Sequence, residues 1–101
     1  MSPRKLWSIR WTQNARDDVG GIADYLLAQG VDVETVDNFL KHLFNASEYL
    51  VVFPGAGKPG RASNTREWRV ANTPYALIYA VRDGNVHILR VMHDSRRFPV
   101  Q

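Results

Sequence analysis

Three short apolar runs crowd the last third of this chain: Thr65-Arg66-Glu67-Trp68-Arg69-Val70, Tyr75-Ala76-Leu77-Ile78-Tyr79-Ala80-Val81 and Asn85-Val86-His87-Ile88-Leu89-Arg90-Val91-Met92-His93. Each is strand-length, and turn residues separate them: Asn72-Thr73-Pro74 first, then Asp83-Gly84. Asp-Gly between apolar runs is a strong two-residue hairpin signal, so the three runs predict an antiparallel meander near 65–71, 75–82 and 86–92. Arginines and two histidines are threaded through these strands. A buried sheet has no need of cations, so they point to something outside the core.

The preceding residues predict what covers the sheet. Leu6-Trp7-Ser8-Ile9-Arg10-Trp11 alternates with period two, placing Trp7, Ile9 and Trp11 on one face of a strand and Leu6, Ser8 and Arg10 on the other. Thr12 sits where a helix N-cap belongs, and Ala15, Val19, Ile22 and Leu26 form the stripe of an amphipathic helix. Gly20-Gly21 lies inside that helix, at a cost of about 1 kcal/mol each relative to alanine, and is expected to permit close approach of the next helix. Gly30 is placed to end it. Asp32 caps a second helix over 33–52, whose apolar face is Val36, Phe39, Leu40, Leu43, Phe44 and Leu50, and Pro54 stops it. Residues 54–64 read as a glycine-rich basic loop. It is not a Walker A phosphate loop: Lys58 is followed by Pro59 and no helix begins there. The order is β-α-α-β-β-β, an α+β fold with a helix hairpin packed on one face of a twisted, mainly antiparallel sheet.

At 101 residues the chain is expected to be one domain spanning 1–101. With 45% apolar and 23% charged residues it belongs with globular chains. It has no cysteine, which excludes disulfides and thiolate metal sites and fits a cytoplasmic location. No apolar run approaches the roughly 20 residues that span a bilayer. No apolar region follows the charged start, so no signal peptide is expected. Charge divides unevenly: residues 1–53 sum to −2 and residues 54–101 to +5, within a total of +3. A basic half suits an anionic partner, either nucleic acid or an acidic protein segment, or is simply a solvated surface.

Strand alternation sorts the side chains. Arg66, Trp68 and Val70 share a face; so do Tyr75, Leu77, Tyr79 and Val81; and His87, Leu89, Val91 and His93 oppose Val86, Ile88, Arg90 and Met92. One face meets the helices. The other is expected to be open, part apolar, part basic and aromatic, with Arg69, Arg82, Arg90, Arg96 and His93 on it or at its rim. Metal-free RNA cleavage needs a group to take the 2′-proton, cations for the phosphate and an acid for the leaving oxygen. His93 is the candidate acid or base, Arg69 and Arg96 the phosphate clamps, and Glu67 an alternative base. The competing reading makes His93 and His87 structural, places His42 on the surface, and pairs Arg90 with Asp18, Asp24 or Glu67. The three histidines show no metal-ligand spacing, and no cofactor motif is present.

Across nearly all of its length the chain resembles the RelE/ParE toxins of bacterial type II toxin–antitoxin modules. The residues that carry the resemblance are Ala15-Arg16-Asp17-Asp18-Val19 and Ile22-Ala23-Asp24-Tyr25 in the first helix, Leu50-Val51-Val52-Phe53-Pro54 closing the second, and Gly60-Arg61 in the loop. Arg66-Glu67, Pro74-Tyr75 through Tyr79, and Ile88 through His93 continue it in the strands. Each motif is weak alone; their order and spacing are specific.

The resemblance implies the fold just derived and a growth-inhibiting toxin neutralised by a cognate antitoxin. The antitoxin would supply an acidic amphipathic segment, with Arg61, Arg66, Arg82, Arg90, Arg97 and Phe98 as residues that meet it or the target. Operator DNA would be bound only through the antitoxin. RelE-like members cut mRNA in the ribosomal A site, whereas ParE-like members poison DNA gyrase. RelE-like enzymes carry a basic residue where this chain has Ala76 and paired lysines where it has Glu67 and Arg69; a C-terminal tyrosine is absent here, although Arg96 falls near a family catalytic arginine. These departures, with the Arg90-Val91-Met92-His93 ending and Phe98-Pro99, favour the ParE-like side.

Overall fold

The computed structural model describes residues 8–93; Leu6, Trp7, Arg96, Arg97 and Phe98 lie outside the described residues. The elements run β1 (Ser8–Trp11), α1 (Gln13–Ala28), α2 (Val33–Val52), β2 (Lys58–Pro59), β3 (Arg66–Arg69), β4 (Tyr75–Arg82) and β5 (Asn85–His93). They form one five-stranded sheet in the order β1-β5-β4-β3-β2, with the two helices packed against it. β1 is parallel to β5 and every other pairing is antiparallel.

Local chemistry sets the helix ends. The Thr12 hydroxyl accepts from the Ala15 N–H at 3.1 Å, and the Asp32 carboxylate accepts from the Thr35 N–H at 2.7 Å. Hydrogen bonds from Thr35, side chain first and backbone second, hold the Asp32 carboxyl below its ordinary range. α1 ends in a Schellman motif: the Gly30 N–H reaches the Leu27 carbonyl and the Val31 N–H the Leu26 carbonyl, both at 3.0 Å. Gly30 has φ 89°, where a side chain would be strained. At the β4–β5 hairpin Asp83 and Gly84 both have positive φ, 54° and 75°, as the primed turn requires.

The core lies between the helices and one sheet face. Ala15, Leu43, Leu50, Val70, Leu77, Tyr79, Val86, Ile88 and Val91 form it, with Val19, Ile22, Phe39 and Leu40 packed around them. Gly20 and Gly21 do not serve close helix approach: both are exposed, and a Cβ at either would meet nothing within 4 Å. They fall outside the stripe through which α1 packs. Replacing both by alanine is therefore expected to raise stability by about 1–2 kcal/mol, read as a shift of the urea midpoint with unchanged slope.

Strict alternation fails in β5. Ile78 pairs with Arg90 while Tyr79 pairs with Ile88, leaving Leu89 as the extra residue of a bulge. Val86, Ile88 and Val91 therefore all reach the core, although Val91 has the opposite parity to the other two. The start of α1 holds the bulge. The Thr12 N–H donates to the Ile88 carbonyl at 3.1 Å, its hydroxyl to the Leu89 carbonyl at 3.0 Å, and the Val91 N–H to the Asp18 carboxylate at 2.9 Å.

The 54–64 segment is more ordered than its composition predicts. The Tyr79 phenol accepts from the Gly57 N–H and donates to the Pro54 carbonyl, both at 2.8 Å. Arg66 donates to the Gly57 carbonyl at 2.6 Å, and Lys58–Pro59 pairs with Arg66 and Glu67 as an edge strand. A Cβ on Gly57 would lie 2.7 Å from the Tyr79 hydroxyl and 2.9 Å from the Glu67 carbonyl, so contact rather than dihedral freedom demands glycine here.

Candidate partner-binding surfaces

The two sides of the molecule present different chemistry. On the helix layer Tyr25, Leu27, Val33, Phe44, Tyr49, Val52 and Phe53 are exposed, with Val33 at 73% and Val52 at 62%. Toward the end of α2 they become contiguous: Tyr49 stacks on Trp68 at 5.2 Å between ring centroids and leans on Phe53 at 5.0 Å. Trp68 is half-buried with its ring against Tyr49. Exposed aromatic and aliphatic groups so arranged are the mark of a surface that another chain covers.

A cleft of about 500 Å³ opens at the other end of the hairpin, lined by Tyr25, Leu26, Val31, Phe39, Tyr75 and His93 among others. Tyr75 stands edge-on to Phe39 at 5.5 Å and to His93 at 5.3 Å. Desolvation raises its phenol above the ordinary range, with Tyr25 adding a smaller push in the same direction.

The bulge separates the candidate catalytic residues. His93 pairs with Tyr75, whereas Arg69 pairs with Ala76 and Glu67 with Ile78. Neighbouring positions on β4 point to opposite faces, so His93 stands on the helix side with Tyr75, and Arg69 and Glu67 stand on the open side. The expectation that His93 joins the arginines at the open face is corrected accordingly. Arg96, the remaining candidate clamp, lies outside the described residues.

The proposed contact residues divide as well. Arg66 is tied to the Gly57 carbonyl. Arg90 is paired with Asp18, Nε to Oδ2 at 2.8 Å and Nη2 to Oδ1 at 3.0 Å, and this pairing raises its pKa. Of the three acids the sequence offered, Asp18 is the one used. Arg61 is exposed in the loop, its N–H on the Glu67 carboxylate at 3.3 Å. Arg82 is exposed at the end of β4, and Arg97 and Phe98 lie outside the described residues. His42 is not merely a surface group: its Nε2 is 2.7 Å from the Ala71 carbonyl, tying α2 to the β3–β4 turn.

The open face differs from expectation in one respect. Trp68, Tyr75 and Tyr79 all stand on the helix side by register, so among the described residues it carries no phenol or indole. It is built on Ala76, Ile78 and Ala80, flanked by Arg10, His87, Arg69, Met92 and Glu67. Arg10 was legible only as an outward residue of the first strand. The parallel β1–β5 pairing, which no local signal reports, sets it opposite His87.

The family described as the ParE toxin of type II toxin-antitoxin system, parDE, matches residues 9–98. The chain is 32% identical over 91 residues to the putative toxin Y4kP of Sinorhizobium fredii, covering 90% of this chain and 92% of the relative. It is 31% identical over 86 residues to toxin RelE2 of Caulobacter vibrioides, covering 85% and 93%. Among solved structures, the chromosomal ParDE TA system from P. aeruginosa superposes with a TM-score of 0.78 at 22% identity, over 87% of this chain and 96% of that one. The toxin–antitoxin complex RelBE2 from Mycobacterium tuberculosis gives 0.56 at 26% identity, over 88% and 99%. With the fold, the match over residues 9–98 and two toxin relatives in agreement, this chain belongs to the ParE toxin family of type II toxin–antitoxin systems, within the RelE/ParE superfamily.

Proposed function

We propose that this toxin arrests growth by poisoning DNA gyrase in the cytoplasm, and that a cognate antitoxin neutralises it with an acidic amphipathic segment. One observation carries the choice of target: the parts of a metal-free ribonuclease are not gathered on one face. His93 is on the helix side, Glu67 and Arg69 are on the open side, and Ala76 stands beside Arg69 where RelE-like enzymes carry a cation. A general acid on the far side of a sheet from its phosphate clamp is out of hydrogen-bond reach of the same scissile bond. Gyrase poisoning needs a binding surface instead.

The antitoxin segment suits the helix layer and the charge of the chain's second half. Its apolar anchors match Tyr49, Val52, Phe53 and Trp68, and its carboxylates match the basic half of the chain. The second reading, ribosome-dependent mRNA cleavage, draws on the 31% identity to toxin RelE2 and on the exposure of Arg69.

The deciding test induces the toxin without antitoxin and follows transcript integrity and DNA-damage signalling in the same cells. Growth arrest with whole transcripts and a damage response is the expected result, and His93→Ala should leave it intact. Codon-specific cleavage with no damage signal, abolished by His93→Ala, would assign the chain to the ribonuclease branch. Normal growth with folded protein would remove both readings.

A further inference from the structure

At one end of the open face the register assembles a cationic cluster that the sequence reading did not group. Arg10 on β1 lies directly beside His87 on β5, and His87 beside Ala80 on β4. One step along, Ser8 lies beside Asn85 and Asn85 beside Arg82, with the Ser8 hydroxyl donating to the Asn85 side-chain carbonyl. Arg10 and Arg82 therefore straddle β5, two strand spacings across and two residues along, roughly 12 Å apart, with an imidazole and an amide between them. Both arginines are exposed and His87 is half-buried. Among the described residues no hydrogen bond or ion pair engages the side chain of Arg10, Arg82 or His87. Arg66 and Arg90, by contrast, have their guanidinium groups committed to this chain's own carbonyls and carboxylate.

The cluster is one end of a track. Ala76, opposite Arg69, and Arg82 are six positions apart along β4, or roughly 20 Å, about six base-pair steps of duplex DNA. Lys58 joins the same face through its pairing with Glu67, which is the face's one carboxylate among the described residues outside the Asp18–Arg90 pair. The floor beneath is Ala76, Ile78 and Ala80, each no more than 9% exposed. Apart from the half-buried Met92, a peptide helix seeking apolar anchors finds none of size here; the large exposed ones are on the helix layer. A phosphate backbone needs only cations and hydrogen-bond donors.

We infer that the open sheet face binds the phosphate backbone of duplex DNA, with Arg10 and Arg82 as a clamp across β5 and His87 as a polar contact between them; the Asn85 carboxamide is engaged by Ser8 and the Asp83 carbonyl. This rests on the topoisomerase reading: the face would hold the DNA of the gyrase complex while another part of the toxin meets the protein.

The test needs no gyrase, so its failure is distinct from failure of that reading, which a supercoiling assay reports separately. The purified chain is titrated into a labelled 20-base-pair duplex, followed by fluorescence anisotropy from 50 to 200 mM salt. Arg10→Gln/Arg82→Gln should weaken binding about 60-fold at 0.1 M salt and flatten the log K against log salt slope by about 1.8, the loss of two phosphate contacts. The charge-matched variant Arg16→Gln/Lys41→Gln, altered on the helix layer, should stay within about threefold of the parent. Circular dichroism verifies that both variants are folded. No binding by the parent at 50 mM salt, or equal weakening in the two variants, overturns the inference. So does tighter binding to a single-stranded RNA of the same length.

Discussion

Tyr79→Phe should lower the unfolding free energy by about 2–4 kcal/mol, an effect out of proportion to the loss of one oxygen atom. The ring stays, so no cavity forms and the apolar burial is kept. What goes is a hydroxyl at zero exposure that accepts from the Gly57 N–H and donates to the Pro54 carbonyl. A buried group left without its partner costs about 1–3 kcal/mol, and two are orphaned together. Arg66 and the short β2–β3 pairing would then be what holds the 54–58 segment to the sheet. Urea denaturation reads the stability, and hydrogen exchange at Gly57 reads the local release; a loss below about 1 kcal/mol with Gly57 still protected would sink the argument. The same phenol sets an alkaline limit. Desolvation raises its pKa above the ordinary 10.0, and the hydrogen bond from Gly57 and the charge of Arg66 only partly oppose it. The folded state therefore favours the neutral phenol. Its contribution is fully present below the unfolded pKa and is lost as pH rises from there through the folded value. Stability should decline above about pH 10 in the parent, and less steeply in Tyr79→Phe.

That tyrosine also shows where sequence reading stops. Local signals were sufficient wherever the physics is local. Thr12 and Asp32 accept the N–H groups that caps must satisfy, Gly30 takes the positive φ that ends α1, and Asp83-Gly84 takes the two positive φ values of a hairpin. The apolar stripe of α2 and its stop before Pro54 place that helix at Val33–Val52, as expected. The failures are non-local. Glycines and prolines in 54–64 read as loop because nothing nearby announces a phenol 22 residues downstream that bonds to Gly57. Gly20-Gly21 is the local exception: it looked like a packing device although the stripe of Ala15, Val19, Ile22 and Leu26 already turned both glycines away from the packed face. The site suffered most. Alternation over Val86–His93 is equally regular in sequence with or without a bulge, and the bulge decides which face His93 joins. Arg10 met His87 only through a parallel pairing across 77 positions.

The residue that decides that face is Asp18, and Asp18→Ala is expected to cost about 2–4 kcal/mol while Arg90→Ala costs about 1 kcal/mol or less. The pair is bidentate, but the Arg90 side chain is 46% exposed, and partly solvated ion pairs contribute little net stability. Losing the arginine leaves a carboxylate, 18% exposed, still accepting from the Val91 N–H at 2.9 Å. Losing the aspartate removes that acceptor too. It strips a part-buried backbone N–H of its partner beside the bulge and leaves Thr12 as the remaining tie from α1 to the Ile88 and Leu89 carbonyls. With the bulge weakened, β5 can slip by one residue beyond Ile88, which would turn Val91 and His93 outward and Arg90 and Met92 inward. Two measurements separate the roles. A double-mutant cycle between Asp18 and Arg90 should return a coupling well below the full cost of Asp18→Ala. The ring-proton shifts of His93 should move in Asp18→Ala, as Tyr75 leaves its edge, and stay nearly fixed in Arg90→Ala. Equal destabilisation by the two substitutions would mean that the ion pair itself holds the strand, and that the Val91 contact, with the face it assigns to His93, is incidental.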